Sequence, residues 1–443
     1  MTRMNENTPT FEQITHDLSH HIRINKGFLA WMGFLTVALI VCLYAYSIQL
    51  KTGLGVAGIR DYVTWGMYLA NFVFFVAASL IGMLISAVLG MLGMKWLTPI
   101  TRIAETIAVA FAAVAGLVIV SDMGRPERLA YVFLYGRPQS PILWDVTVIT
   151  TYFVLSLMLL YLPLIADMAI LHRRMDTIPG WLRNVYKVLS LRFTDSPEQN
   201  RIIHRSIRIL LILIIPAALS IHTVTSWLFA VTSRAGWDST IFGPYFVSGA
   251  FVAGSAAVII AMYFFRKNYR LQDYFTDLHF NNMGKVLATV SLVYLYFNIN
   301  EFLVPGYKMK RADAIHLQEL FAGKDAVLFW LVQGGGLLLP ILFMLFRRFR
   351  KPLPLLLISI AVLIGAWFKR YIIVIPTQEH PFLPIQHVPH NFAHYSPTLI
   401  ETLISVAPFI LVLIIITLIS KFFPVIPIHE TAREKGIEPI SFD

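Results

Sequence analysis

Ten apolar stretches alternate with short polar segments along the chain. A helix of about 20 apolar residues crosses the ~30 Å hydrocarbon core of a bilayer. The pattern therefore predicts spans near 27–49, 67–93, 99–121, 143–170, 206–232, 244–265, 284–305, 327–346, 353–373 and 399–421. The expected fold is an all-α integral membrane protein. A charge at the centre of a membrane helix costs ~2.5–3.5 kcal/mol on insertion scales. The few ionisable residues in or beside these spans therefore need a reason: Glu105, Asp122, Asp145, His222 and Glu301.

With ten crossings, both termini face one side. Of the 36 Lys and Arg, 24 fall on that side and 12 on the other, the 171–208 loop contributing most. The positive-inside bias places the termini in the cytoplasm, with the loop at 122–142 facing the periplasm. A weak repeat also runs through the chain. Gly66-Met67-Tyr68-Leu69-Ala70-Asn71 opens span 2 and Gly243-Pro244-Tyr245-Phe246-Val247-Ser248 opens span 6. Ser121-Asp122 ends span 3 as Asn300-Glu301 ends span 7, and Pro126 and Pro305 follow. An even number of spans separates the halves, so the repeat is parallel. The expected organisation is a cytoplasmic segment at 1–26, a peripheral helix at 27–49, a four-helix bundle at 67–232, a second at 244–373, a peripheral helix at 399–421 and a cytoplasmic tail at 422–443.

Composition agrees with a membrane protein: 57% of residues are apolar or aromatic and 14% charged. The net charge of +11 lies between spans and not in one aromatic-interleaved patch, so it does not point to nucleic acid. One cysteine, Cys42, excludes an internal disulfide and a cysteine-ligated iron–sulfur or zinc site within the chain. The polar first 26 residues lack a small-residue cleavage site, and span 1 is expected to be retained.

Candidate chemistry gathers in the first half. Ala108, Ala112 and Ala115 form a small-residue stripe on span 3 that Asp122 continues, which aims Asp122 into a bundle. Span 4 opens at Asp145, with Tyr152 and Ser156 further along that face and Ile149 interrupting it. His222, Thr225 and Ser226 share a face of span 5. A quinone head exchanges two electrons and two protons, and needs a hydrogen-bond partner at each carbonyl and a group that can hold a proton. His222 suits that role near neutral pH, and a buried Asp can relay. Equally compatible with the residues is a plain structural role, His222 satisfied in the core and Asp122 paired with Arg125 or Arg128. A two-histidine haem would need a second histidine deep in a span. His380, His387, His390 and His394 sit in a Pro-rich outer loop, and no metal site is expected there.

Glu105 and Asp167, on the inner parts of spans 3 and 4, could begin a proton path or could pair with Arg102 and Arg173. Tyr294, Asn298 and Glu301 repeat along span 7, Asp325 opens span 8, and Gln333 precedes Gly334-Gly335-Gly336. Lys369-Arg370 ends span 9 and could neutralise Glu301 and Asp325, or this could be a second polar pocket on a proton path.

Three segments carry a family resemblance: Ser121-Asp122-Met123-Gly124-Arg125-Pro126-Glu127-Arg128, the stretch from Trp237-Asp238-Ser239-Thr240 to Gly249-Ala250, and Phe422-Phe423-Pro424. Over residues 25–430 the chain resembles the NrfD/polysulfide reductase membrane-subunit family. Its ten spans are similar to the branch found in alternative complex III and quinone-reductase complexes. The resemblance implies a bacterial inner-membrane subunit that holds no haem or iron–sulfur cluster. It implies menaquinone or ubiquinone bound near the periplasmic face, in the first bundle. Asp122 and His222 stand at the family's catalytic positions, with Arg125, Arg128, Asp145, Tyr152, Ser156 and Ser226 as quinone-binding candidates. It further implies a periplasmic ferredoxin-like iron–sulfur partner, with a multihaem cytochrome c or a molybdopterin-type subunit beyond it. Glu105, Asp167, Glu301 and Asp325 would be the proton path. One departure is Lys369, where many relatives carry an acid before the Arg. Two other readings are a secondary transporter with parallel repeats and a passive anchor. Polar groups gathered in the outer half, and not at the midplane, favour the quinone reading over the transporter.

Overall fold

The computed structural model describes residues 10–22, 24–174, 178–380, 389, 392 and 394–437. Among the described residues, ten helices are long and apolar enough to cross a membrane. In order they are span 1 (Lys26–Thr52), span 2 (Met67–Leu89), span 3 (Lys95–Asp122), span 4 (Pro141–Arg173), span 5 (Pro197–Ala230), span 6 (Phe242–Asn268), span 7 (Asp277–Lys308), span 8 (Ala326–Leu345), span 9 (Pro352–Glu379) and span 10 (Leu399–Phe422). No strand occurs among the described residues. The protein is an all-α integral membrane protein, as the sequence pattern predicts.

Several helices run past their apolar stretch. Span 5 starts at Pro197 because the Ser196 side chain caps it, accepting from the Gln199 backbone N–H, and its first turns are polar. Span 9 does not stop near Lys369-Arg370 but continues to Glu379. Both basic residues therefore lie inside the helix, 3% and 2% exposed. Hydropathy ends a span at charges; the helix continues because neighbouring helices cover those charges.

Span 2 is the most enclosed and packs against spans 3, 5, 6, 9 and 10. Helices in lipid associate largely through close packing, which small residues permit. A Cβ on Gly82 would meet the Ala108 Cβ at 2.8 Å, so the alanine stripe of span 3 is where span 2 comes closest. Spans 8 and 9 meet the same way, since a Cβ on Gly336 would lie 2.7 Å from the Gly365 Cα. Both helices carry a π-helical segment near these contacts, Met83–Leu89 in span 2 and Gly334–Leu338 in span 8.

Span 1 is mostly exposed and pairs with span 10, burying Leu35 and Cys42 against Ile410. The N-terminal helix Phe11–Ser19 packs on the C-terminal helix Ile428–Glu434, so both chain ends share one side of the span array. The opposite side carries the ends of spans 3, 5, 7 and 9.

Candidate functional site

Most of the candidate residues lie in the half of the molecule away from the chain ends. Asp145, in the first turns of span 4, is 3% exposed and accepts a 2.6 Å hydrogen bond from the Thr225 hydroxyl of span 5. One turn before Thr225, His222 is 1% exposed and its Nε2 has no hydrogen-bond partner among the described residues. Span 5 ends at Ala230, which sets His222 about 12 Å deep at 1.5 Å per residue. Tyr152 is fully buried and donates to the Ser79 carbonyl of span 2 at 2.6 Å, with Ser156 buried one turn on. Ser226 is buried but spends its hydroxyl on the Thr223 carbonyl of its own helix. A buried polar atom without a partner forfeits roughly 1–3 kcal/mol. The unpaired His222 nitrogen is a sign of a missing partner between spans 4 and 5.

Asp122 belongs to a different neighbourhood. It ends span 3 half-buried and is neither hydrogen-bonded nor ion-paired among the described residues. Arg125 and Arg128 are exposed and do not pair with it. The last carbonyls of span 3, unsatisfied within the helix, are taken up by span 1: Gln49 donates to the Ser121 carbonyl at 2.7 Å and Tyr46 to that of Val120 at 3.4 Å. Tyr68 of span 2 donates to Gln49 at 2.6 Å. Beside them Glu401 of span 10, fully buried, faces Asp122 electrostatically. Glu401 accepts from the backbone N–H groups of Gly58 (2.7 Å) and Met67 (3.2 Å), and from the Tyr395 hydroxyl. No hydrogen bond or ion pair joins Asp122 to His222 among the described residues.

A third set fills the second half. Tyr245 and Tyr294 stack at 5.0 Å, and the Tyr294 hydroxyl donates to that of Tyr245 at 3.1 Å. Tyr245 donates to Asn298 at 3.2 Å, and Asn298 to Gln333 at 2.6 Å. Lys369 pairs with Glu301 at 3.0 Å and lies over the Phe302 ring. The expected neutralisation of Asp325 by Arg370 does not occur. Asp325 is half-buried at the head of span 8 with one oxygen unpartnered, while Arg370 is fully buried with Nε and Nη2 unpartnered among the described residues, over the Phe246 ring. Arg370 borders a cavity of about 20 Å³ with Gln333 and Tyr294. Its charge also reaches His222.

On the side of the chain ends, Glu105 accepts from Ser86 at 3.0 Å, where the π-helical segment turns that hydroxyl towards span 3. Asp167 is fully buried and fully engaged. It pairs with Arg102 and accepts the backbone N–H groups of Ile428 (3.1 Å) and His429 (2.9 Å) at the start of the C-terminal helix. A carboxylate there offsets the unsatisfied N–H groups of a helix start. Asp167 thus holds the tail to the bundle.

Sequence reasoning missed Glu401, Gln49 and Tyr68, which sit at the ends of apolar runs, and the role of Arg370. It also missed an aromatic cluster above His222. Trp65 stacks on Trp237 at 5.6 Å, Phe229 meets Trp237 edge-on at 5.1 Å, and the Trp237 indole donates to the Ile373 carbonyl at 2.6 Å. Trp237 opens one of the three segments that carry the family resemblance, a signal that could have flagged it. Among the described residues no group of three or more His, Cys, Asp or Glu is placed to hold a metal; His387 and His390 lie outside them.

Comparison with known proteins fits this architecture. The family model of polysulphide reductase NrfD matches residues 55–381. The C component of the selenate reductase of Mesobacillus selenatarsenatis is 26% identical, over 93% of this chain and 96% of its own. The Hdr-like menaquinol oxidoreductase integral membrane subunit of Archaeoglobus fulgidus is 24% identical, over 89% and 92%. The menaquinone reductase integral membrane subunit of Nitratidesulfovibrio vulgaris is 23% identical, over 96% and 97%. With the family model matched over well more than half of its length, this protein belongs to the polysulphide reductase NrfD family.

Proposed function

We propose that this chain is the quinone- or quinol-binding membrane subunit of a multi-subunit oxidoreductase. The observation that carries the reading is the buried, unpartnered Nε2 of His222, one turn along span 5 from the Thr225–Asp145 bond. Two relatives whose names refer to menaquinone or menaquinol support it.

In this reading His222 accepts the proton of one quinol hydroxyl at Nε2, and Asp145, held on Thr225 one turn along span 5, takes it on. Asp122, at the mouth of the same half, passes protons to the outer water. Tyr152, Ser156 and Ser226 shape the polar wall. Two protons leave through these side chains and two electrons leave to an iron–sulfur partner docked outside; the reverse flow uses the same groups. Exposed Arg125 and Arg128 belong at the rim, facing that partner, and not at the quinone head. A multihaem cytochrome c or a molybdopterin-type subunit would complete the electron route.

The positive-inside bias supports chain ends in the cytoplasm of a bacterial inner membrane, with the site near the periplasm. The spans divide into bundles at spans 2–5 and 6–9. Coupling to protons would start from Glu105 on the cytoplasmic side, since Asp167 is occupied by Arg102 and the tail. Glu301 with Lys369, and Asp325, would serve the second bundle.

A photoreactive azidoquinone, irradiated with the intact complex, tests the site. Label is expected on peptides from spans 4 and 5 around Asp145 and His222. Label confined to spans 7 to 9 would move the site to the other half.

A further inference from the structure

A long apolar cleft on the side of the chain ends takes no part in the site above. Its wider part, a cavity of about 700 Å³, lies between spans 1, 3, 6 and 10. A second hollow of about 410 Å³ continues it between spans 2, 3, 9 and 10, the two sharing Phe111, Leu363, Val412 and Leu413. Small side chains make the space, Ala257 and Ala261 on span 6. Exposed Trp31, Phe264 and Leu413 form a lip open to the lipid. Along span 10 the cleft runs from Lys421 to Phe409, about 18 Å at 1.5 Å per residue. One leaflet of hydrocarbon is about 15 Å deep.

The two ends of the cleft differ in chemistry. The deep end is aromatic and aliphatic, with Phe74, Trp367 and Phe409. The end at the membrane surface carries Lys421, Asn25, Asn268 and Tyr269. Among the described residues Lys421 is the one charged residue lining either hollow, and no carboxylate or histidine lines them. It is 4% exposed, and its ammonium donates to the His21 carbonyl at 2.6 Å with no carboxylate partner among the described residues. Two of the ammonium's three donors remain for a ligand. Exposed Lys26 and Lys267 flank the same mouth.

We propose that this cleft is a binding site for a phospholipid with an anionic headgroup, its phosphate on Lys421 and an acyl chain laid along span 10 to Phe409. The length fits one leaflet, and the polar end offers cationic and amide donors without a proton acceptor. That donor set suits a phosphodiester. A quinone undergoing proton exchange would need a His or a carboxylate, which the lining lacks. A bound lipid would also fill the gap that separates the paired spans 1 and 10 from span 6.

The test is native mass spectrometry of the purified intact complex, delipidated and then titrated with phosphatidylglycerol or phosphatidylcholine of equal chain length. Phosphatidylglycerol is expected to bind more tightly to the wild type. Lys421→Gln should weaken phosphatidylglycerol about fivefold, the effect of one basic residue near a membrane phosphate, and leave phosphatidylcholine unchanged. Ala261→Trp, which fills the hollow and keeps Lys421, should weaken both lipids. Lys351→Gln, basic but outside the cleft, should change neither. Equal affinity of the wild type for the two lipids would overturn the proposal. So would an unchanged preference in Lys421→Gln, or a quinone or polypeptide released from the cleft by Ala261→Trp in place of lipid.

Discussion

The Thr225 hydroxyl donates a 2.6 Å hydrogen bond to Asp145, joining span 5 to span 4 one turn from His222. This bond ties the buried carboxylate to span 5 at the turn that follows His222. Thr225→Val keeps the side-chain volume but leaves a buried carboxylate without its donor, at a cost of roughly 1–3 kcal/mol. A lower melting temperature is expected, together with a several-fold loss of quinol turnover. Thr225→Ser should restore both. An unchanged melting curve and rate in Thr225→Val would mean the bond contributes nothing.

The Glu301–Lys369 pair makes a second, separable claim. Lys369 is buried, the Glu301 side chain is 9% exposed, and the two groups are 3.0 Å apart. Removing one partner strands the other, which costs about 3–5 kcal/mol, whereas removing both is often close to neutral. Lys369→Met should therefore destabilise strongly, and Lys369→Met with Glu301→Gln should recover most of the loss. If the double variant is as unstable as the two single losses added together, the pair is not a coupled unit.

His316 supplies a pH dependence outside the membrane. It lies on the helix Arg311–Ala322, 8% exposed, with Nδ1 unpartnered among the described residues. Burial holds its pKa down to about 4 from 6.5, with His380 and Lys369 adding to the effect. Because the unfolded chain binds the proton more readily, the stability that neutral His316 contributes is complete above pH 6.5. It is lost as pH falls towards 4, at most about 3 kcal/mol. Melting temperatures measured from about pH 7.5 to about pH 4.5 should fall, and His316→Phe should flatten part of that slope. Parallel slopes in wild type and variant would exclude His316 as the source.

The spans were legible because lipid makes a single demand, about 20 apolar residues per crossing, and the chain meets it ten times. Lys369 and Arg370 defeated that rule at one boundary. The local sequence carries only their charge, whereas Glu301 and the aromatic rings that cover them come from other spans. Asp145, Thr225 and His222 could be placed on inward faces by helical spacing, but the bond between the first two needed the packing of spans 4 and 5. Glu401 is the clearest loss. It reads as an ordinary acid in the first turn of span 10, and its partners Gly58, Met67 and Tyr395 are named by no periodicity. Asp167 shows the converse. The sequence offered a proton carrier or an Arg102 partner, and the backbone N–H groups of a helix at the far end of the chain complete its coordination.

The central claim is that His222 takes a proton from a quinol in the outer half of the membrane and that Asp122 passes protons on to the outer water. It is tested most directly by steady-state quinol–acceptor turnover of His222→Ala and Asp122→Asn in the intact, assembled complex. With stoichiometry and melting temperature checked alongside, turnover is expected to fall about a hundredfold or more in each variant, in line with the loss of a general acid–base group, while assembly stays normal. Wild-type turnover in both variants would contradict the claim.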